Sequence, residues 1–216
     1  MSELDLLTRA AALALGDSPA ASRDALDAVP WLAGAIDEDR TARRFDAWGH
    51  SRAIDENTGT AVIPRALFDE LHRRAGLEAA WPVGNAGLLH CYGYLLSLEA
   101  TPYGLKRDRW LEDELARACE LPPGAFLPWA TGSTLLARAT TAAAAILRAP
   151  RAGAQRNVAG RDTRVAFSAS NGPAALAYAA APVGGTPLLI TLFPVADTSP
   201  PLIEFRTRPG LRWNAI

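Results

Sequence analysis

Residues 165–193 have the sequence VAFSASNGPAALAYAAAPVGGTPLLITLF, three apolar segments separated by two turn signals. The first turn contains Asn171-Gly172, a strong short-range hairpin signal, and the second contains Gly184-Gly185. Strands joined by such short turns pair antiparallel. The stretch therefore predicts a C-terminal antiparallel β-meander. We expect 188–193, which is apolar on both faces, to be a central buried strand, and 202–206 and 211–214 to be weaker strands.

The sequence before Pro150 has a different hydrophobic pattern, because its apolar residues recur at helical spacing. Caps such as Ser2 and Ser133 and stops such as Gly76 predict helices over 3–15, from 22 to Pro30, over 64–74, 86–98, about 106–119 and 134–148. Helices first and strands afterwards indicate the α+β class. We expect one domain spanning 1–216, with a mainly helical half of about five to six helices in 1–150 packed on mainly antiparallel strands in 155–216.

Composition excludes several classes of function. The net charge of −1 argues against a nucleic-acid binder that relies on an overall positive field. No apolar run approaches the length of a membrane span, and the acidic N-terminus is unlike a signal peptide, so a cytoplasmic location is expected. Abundant alanine and a large excess of arginine over lysine indicate GC-rich bacterial coding. Two cysteines are too few for a disulfide framework or a zinc site, and both are expected to be small buried hydrophobes.

Residues 84–110 combine apolar character with a few polar groups, the composition of a ligand pocket. His90 and Tyr94 fall one turn apart on the predicted helix 86–98, so the pair can act as general acid and base near neutral pH. The alternative is a structural histidine bonded to a backbone carbonyl or to Tyr94. Asn85 is expected to cap this helix, where backbone N–H groups can also meet an anion.

A basic and aromatic segment follows this helix. Its cations can clamp a carboxylate or phosphate and its rings can stack on a planar group; the candidates are Tyr103, Lys106, Arg107, Arg109 and Trp110. The alternative is a solvated helix start in which Asp108 balances part of the charge.

Asp46 and His50 form a second candidate acid–base pair. A catalytic triad with Ser51 is disfavoured because the strained GxSxG turn is absent. Asp55 can instead orient His50 or pair with Arg52 at the surface. The third histidine, at position 72, is expected to be exposed. The three histidines show no metal-ligand spacing and no cofactor fingerprint is present, so neither metal nor cofactor is expected.

The leading hypothesis is a small cofactor-independent bacterial enzyme, with specialised metabolism as its suggested setting. It would act on a small anionic metabolite by lyase, isomerase or cyclase chemistry. His90, Tyr94, His50 and Asp46 would be catalytic. The alternative is a non-catalytic interaction module. It would bind a peptide, a partner subunit or a second copy through the edge of the C-terminal sheet or through the basic-aromatic segment.

Overall fold

The computed structural model describes residues 2–102, 104–151 and 153–208 and confirms the α+β class. The helices in these ranges are α1 (Glu3–Ala14), α2 (Pro19–Asp27), α3 (Pro30–Thr41), α4 (Arg65–Ala75), α5 (Ala86–Cys91), α6 (Asp108–Leu111), α7 (Glu114–Ala118), α8 (Leu135–Arg148) and α9 (Ser199–Thr207). The strands are β1 (His50–Arg52), β2 (Val83–Asn85), β3 (Ala100–Thr101), β4 (Gly104–Leu105), β5 (Gln155–Val158), β6 (Arg161–Phe167), β7 (Ala174–Pro182) and β8 (Leu188–Val195). Short 3₁₀-helices occupy Arg44–Ala47 and Gly93–Leu96. None of the helices in the described ranges is long and apolar enough to span a bilayer.

The main sheet is an antiparallel meander of four strands in the order β5-β6-β7-β8. The three predicted segments lie in β6, β7 and β8, whereas the edge strand β5 was not predicted. The central position expected for 188–193 is wrong, because β8 lies at the end of this order. Its outer edge is covered by the Trp48–Gly49 segment, where the Gly49 amide donates to Leu189 O at 2.8 Å. That cover, rather than another strand, explains why β8 carries so few polar residues.

The two faces of the sheet belong to different cores. Ala175, Ala177 and Ala179 on β7 join the main core with α8, where small side chains let the helix approach the sheet closely. Leu176 and Tyr178 point the other way into a second core that includes Phe205 of α9. The alternation of side chains along a strand produces this division.

Two sequence predictions of secondary structure fail near the C-terminus. The expected strand 202–206 lies within helix α9, which begins with prolines in its first turn, where the fixed proline φ suits a helix. The expected strand 211–214 lies outside the described residues.

Helix number is higher than the expected five to six. Pro30 begins α3 instead of ending a helix, and α9 replaces a strand. The predicted helix 106–119 is two helices, α6 and α7, because Asp113 between them has φ +57° and its carboxylate accepts the Gly124 amide at 2.7 Å. The predicted helix 86–98 is α5 followed by the Gly93–Leu96 3₁₀-helix. Within the described ranges the result is eight α-helices in 1–150, where five to six were expected, and nine in all.

Several predicted caps are confirmed. Ser2 forms a capping box with Asp5 at the start of α1, and Gly76 ends α4 in the left-handed conformation. The cap of α8 is Thr134 rather than the neighbouring serine, and its hydroxyl also donates to the buried Asp39 at 2.6 Å. This one side chain therefore fixes both the start of α8 and its contact with α3.

The expectation that His72 is exposed is wrong. Its ring is buried, with Nδ1 2.8 Å from Phe68 O and Nε2 accepting the Asn85 amide at 3.1 Å. Gly84 makes room for it, since a Cβ there would lie 2.2 Å from the His72 ring. Burial lowers the pKa of His72, which keeps the ring neutral in this bonding role.

Candidate active site

Side chains from four parts of the chain meet between β1, α5 and the start of α6. We call this group the His90 cluster; it consists of Ser51, Asp55, His90, Tyr94, Lys106 and Arg109. Ser51, Asp55, His90 and Tyr94 are buried, and the two basic side chains are partly buried. The cluster is polar but is surrounded by the main apolar core.

His90 and Tyr94 stack with ring centroids 4.9 Å apart and an angle of 26° between the rings. His90 Nε2 lies 3.3 Å from Ser51 Oγ, whereas the buried Nδ1 has no hydrogen-bond partner among the described residues. Burial, assisted by the charges of Arg109 and Lys106, holds the pKa of His90 well below its ordinary value. The imidazole is therefore neutral at physiological pH, and one of its ring nitrogens is buried without a bond to any described residue.

Tyr94 keeps its proton under the same conditions. Burial raises the pKa of its phenol to about 12, against a smaller lowering effect of the Arg109 charge. The face of the ring carries two cations, with Lys106 Nζ 4.9 Å and the Arg109 guanidinium carbon 5.6 Å from the centroid. Tyr94 can thus donate a proton or a hydrogen bond while its ring stabilises the neighbouring positive charge.

Lys106 and Asp55 form the buried ion pair of the cluster, with Nζ 2.7 Å from Oδ2. Asp55 also accepts the amides of Asn57 and Thr58 at 2.8 and 3.1 Å, which fixes the turn that follows β1. Burial alone would raise the pKa of Asp55, but Lys106 and these amides lower it, so the carboxylate is ionised.

The positive charge of Arg109 is less well balanced than that of Lys106. Its guanidinium carbon lies 6.0 and 5.9 Å from the rings of Trp110 and Phe193, and Nη1 reaches Leu192 O only at 3.5 Å. No carboxylate in the described ranges lies within ion-pair distance of it. Burial lowers the pKa of Arg109. The cluster therefore holds two basic groups and one carboxylate.

The adjacent Arg107 adds a third cation beside the cluster. Its Nε is 3.9 Å from the Asp108 carboxylate, and Nε and Nη1 are buried without hydrogen-bond partners among the described residues. The basic segment is therefore packed against the protein rather than solvated as a free helix start.

Two further sequence candidates support the fold around the cluster. Asn85 caps α5, as expected, by accepting the Leu88 amide at 3.0 Å, and its own amide group donates to Phe45 O and Trp48 O. Trp110 is buried, and its indole N–H donates to His90 O at 2.9 Å. Tyr103 lies outside the described residues.

The structure does not bring Asp46 and His50 to the cluster. Side chains alternate along β1, so Ser51 points inward and His50 outward to solvent. Asp46 is exposed and accepts from Arg43 Nε at 2.9 Å. Asp55 binds Lys106 and not His50 or Arg52. No sequence signal pairs Asp55 with Lys106, because the two lie far apart along the chain.

Two surface clefts lie away from the His90 cluster. One surface cleft runs along α9 between Asp197 and Arg208, and another lies between α2 and α4 around Arg23 and Asp69. Neither is lined by a residue of the His90 cluster. In the described ranges no group of three or more His, Cys, Asp or Glu side chains is placed to hold a metal ion.

Comparison with known proteins gives no relative, since no family model, curated protein or solved structure matches the chain.

Proposed function

We propose that the protein is a small enzyme that binds a small anionic metabolite at the His90 cluster and moves a proton with His90 and Tyr94. A His–Tyr pair that transfers protons can catalyse lyase, isomerase or cyclase reactions. Independence from cofactors and metals, a bacterial source and a cytoplasmic location belong to the same proposal and rest on the sequence alone. One observation carries the proposal: Arg109 is partly buried beside Lys106, and no carboxylate of the described residues lies within ion-pair distance of it.

A cation removed from water without a counter-charge costs several kcal/mol. The aromatic rings around Arg109 recover only part of this cost, and the contact to Leu192 O is too long to be a strong hydrogen bond. A ligand carboxylate or phosphate would balance the charge with short, charge-assisted hydrogen bonds. The arrangement is therefore better suited to an anion complex than to a purely structural role.

The same anion would prepare His90 for catalysis. The charges of Arg109 and Lys106 contribute to the low pKa of His90, so an anion bound between them would raise that pKa toward the ordinary value. A general base is most effective when its pKa lies near the working pH. His90 would then accept a substrate proton, and Tyr94 would donate one to the developing oxyanion.

The test is a titration of the protein with acetate and with inorganic phosphate, followed by the NMR signals of the histidine rings. We expect a saturable change at His90 that weakens at least about tenfold in Arg109→Met, a loss typical of one charge-assisted bond. Arg9→Met is the matched control, since Arg9 is exposed on α1. Equal responses in the two variants, or no response at His90, would contradict the proposal.

The alternative, an interaction module that uses the sheet edge, has less support. The edge strand β5 carries Arg156, which pairs with Asp162 at 2.8 Å, and charged side chains on an edge strand discourage pairing with another chain. Trp110 of the basic-aromatic segment is buried, so its ring is not available to a partner.

A further inference from the structure

Lys106 is the only lysine in the sequence; the rest of the 22 lysine and arginine residues are arginines. Coding bias accounts for arginine as the source of the surface charges, but it does not account for a single lysine that lies partly buried in the His90 cluster. Arginine stays charged in proteins, whereas a lysine amine can lose its proton and act as a nucleophile. The chain thus keeps lysine at the position where this difference has chemical consequences.

The surroundings of Lys106 suit a reactive amine. The side chain is 14% exposed, Nζ contacts Asp55 Oδ2 at 2.7 Å, and the Tyr94 ring and Arg109 are adjacent. Burial and the Arg109 charge lower the pKa of Lys106, against the opposing effect of Asp55. Asp55 can take a proton from the ammonium group, and the neutral amine is the form that attacks carbonyl carbon.

We propose that Lys106 forms a Schiff base with the carbonyl group of a small 2-oxo or 3-oxo acid whose carboxylate is bound by Arg109. This inference rests on the proposed function for the anion contact and deepens it by naming the substrate class. An oxo acid carries both of the groups that these two residues would bind, a carboxylate for Arg109 and an electrophilic carbonyl carbon for Lys106.

The step balances without an oxidant or reductant. Lys106 Nζ gives a proton to Asp55 and forms a C–N bond to the carbonyl carbon, while the carbonyl oxygen gains a proton from Tyr94. A second nitrogen proton then passes to the Tyr94 phenolate and leaves a neutral carbinolamine. Its hydroxyl group leaves as water with the proton held by Asp55, while the nitrogen lone pair forms the C=N bond. Overall, the ammonium group and the oxo acid give a protonated imine and one water molecule. The imine then withdraws electrons, so that His90 can remove a proton from the neighbouring carbon, or a 3-oxo acid can lose carbon dioxide.

The experiment is reductive trapping of the full chain with pyruvate or acetoacetate and sodium cyanoborohydride near neutral pH. Intact mass and peptide mapping locate the adduct. We expect a single adduct at Lys106, heavier by the mass of the oxo acid less one oxygen atom, and none at that position in Lys106→Arg. The N-terminal amine is resolved by the mapping and serves as an internal reference.

A lysine introduced by Arg9→Lys supplies a matched exposed amine in the same chain. We expect it to react at least about tenfold more slowly than Lys106, because an exposed lysine with a pKa near 10.4 is almost fully protonated at neutral pH. Absence of label on Lys106 with both oxo acids, or labelling no faster than at the introduced lysine, overturns the proposal.

Two outcomes separate this inference from the proposed function. Saturable acetate binding at His90 without trapping would overturn the Schiff base and leave the anion site supported. Rapid trapping at Lys106 that is unchanged in Arg109→Met would support the reactive lysine and overturn Arg109 as the anion contact.

Discussion

Replacing Arg109 with methionine should stabilise the protein. The three rings near the guanidinium, at 5.6 to 6.0 Å, are each worth about 0.5–1 kcal/mol, together about 2 kcal/mol. The effective cost of desolvating an unpaired cation is several kcal/mol. Methionine retains much of the apolar packing of the arginine stem and carries no charge. We therefore expect the free energy of unfolding to rise by about 1 kcal/mol.

Urea denaturation measures this change, and a thermal scan should show a rise of about 2–4 °C for a chain of this size. The control is Arg138→Met. Arg138 is also partly buried, but its guanidinium donates to Leu127 O and Ala130 O at 2.7 and 3.2 Å, so its loss should destabilise by about 1–3 kcal/mol. A loss of about 1 kcal/mol or more in Arg109→Met would refute the reasoning, since the guanidinium would then contribute net stability to the fold.

Three further outcomes can be checked by denaturation. Asp55→Asn leaves Lys106 buried without its counter-charge and should cost about 3–5 kcal/mol in unfolding free energy at pH 7; a cost below about 1 kcal/mol would mean that the pair is solvated. The pKa of His90 is lower in the folded state than in the unfolded state. The contribution of His90 to the free energy of unfolding is therefore fully present above about pH 6.5 and is lost as the pH falls below that value. His90→Gln should therefore flatten the decline between pH 7 and 5, by up to about 1.4 kcal/mol per pH unit, and an unchanged slope would argue against a depressed pKa. Gly84→Ala places a methyl group against the buried imidazole beside β2 and should cost about 2 kcal/mol, whereas Gly34→Ala, in open space on α3, should gain about 0.5 kcal/mol; equal effects would contradict the packing argument.

The sequence was informative where the cause of a structure is local. Side-chain caps and a left-handed glycine mark the ends of α1 and α4, and Asn171-Gly172 marks a turn of the sheet, so these features could be predicted. Pro30 was interpreted as the end of a helix, but α2 already ends at Asp27 and Pro30 occupies the first turn of α3, where its fixed φ suits a helix. The double proline before 202–206 carried the same signal for α9.

Part of the candidate site could likewise be predicted from local sequence patterns, and part of it could not. Helical spacing predicted that His90 and Tyr94 would face each other, and they do so although the helix changes to a 3₁₀ turn between them. Lys106 and Arg109, whose charges help to lower the pKa of His90, were also among the sequence candidates. Ser51 lies in β1, and a three-residue strand is too short to show which of its side chains points inward, so Ser51 could not be chosen over His50 from the sequence. Asp55 lies in the turn after β1, and no local signal indicates its ion pair with Lys106.

The second core, on the face of the sheet remote from α8, has a consequence for refolding of the protein. Val165, Leu176 and Ile190 come together as soon as the meander pairs, but Phe205 of α9, which contributes to the same core, lies beyond the meander in the chain. A partly folded chain in which the meander has paired and α9 has not yet docked therefore presents an incompletely covered apolar face, and such faces recruit chaperones or aggregate. Aggregation during refolding should therefore increase in Phe205→Ser, which weakens the docking of α9, and light scattering after dilution from urea measures it.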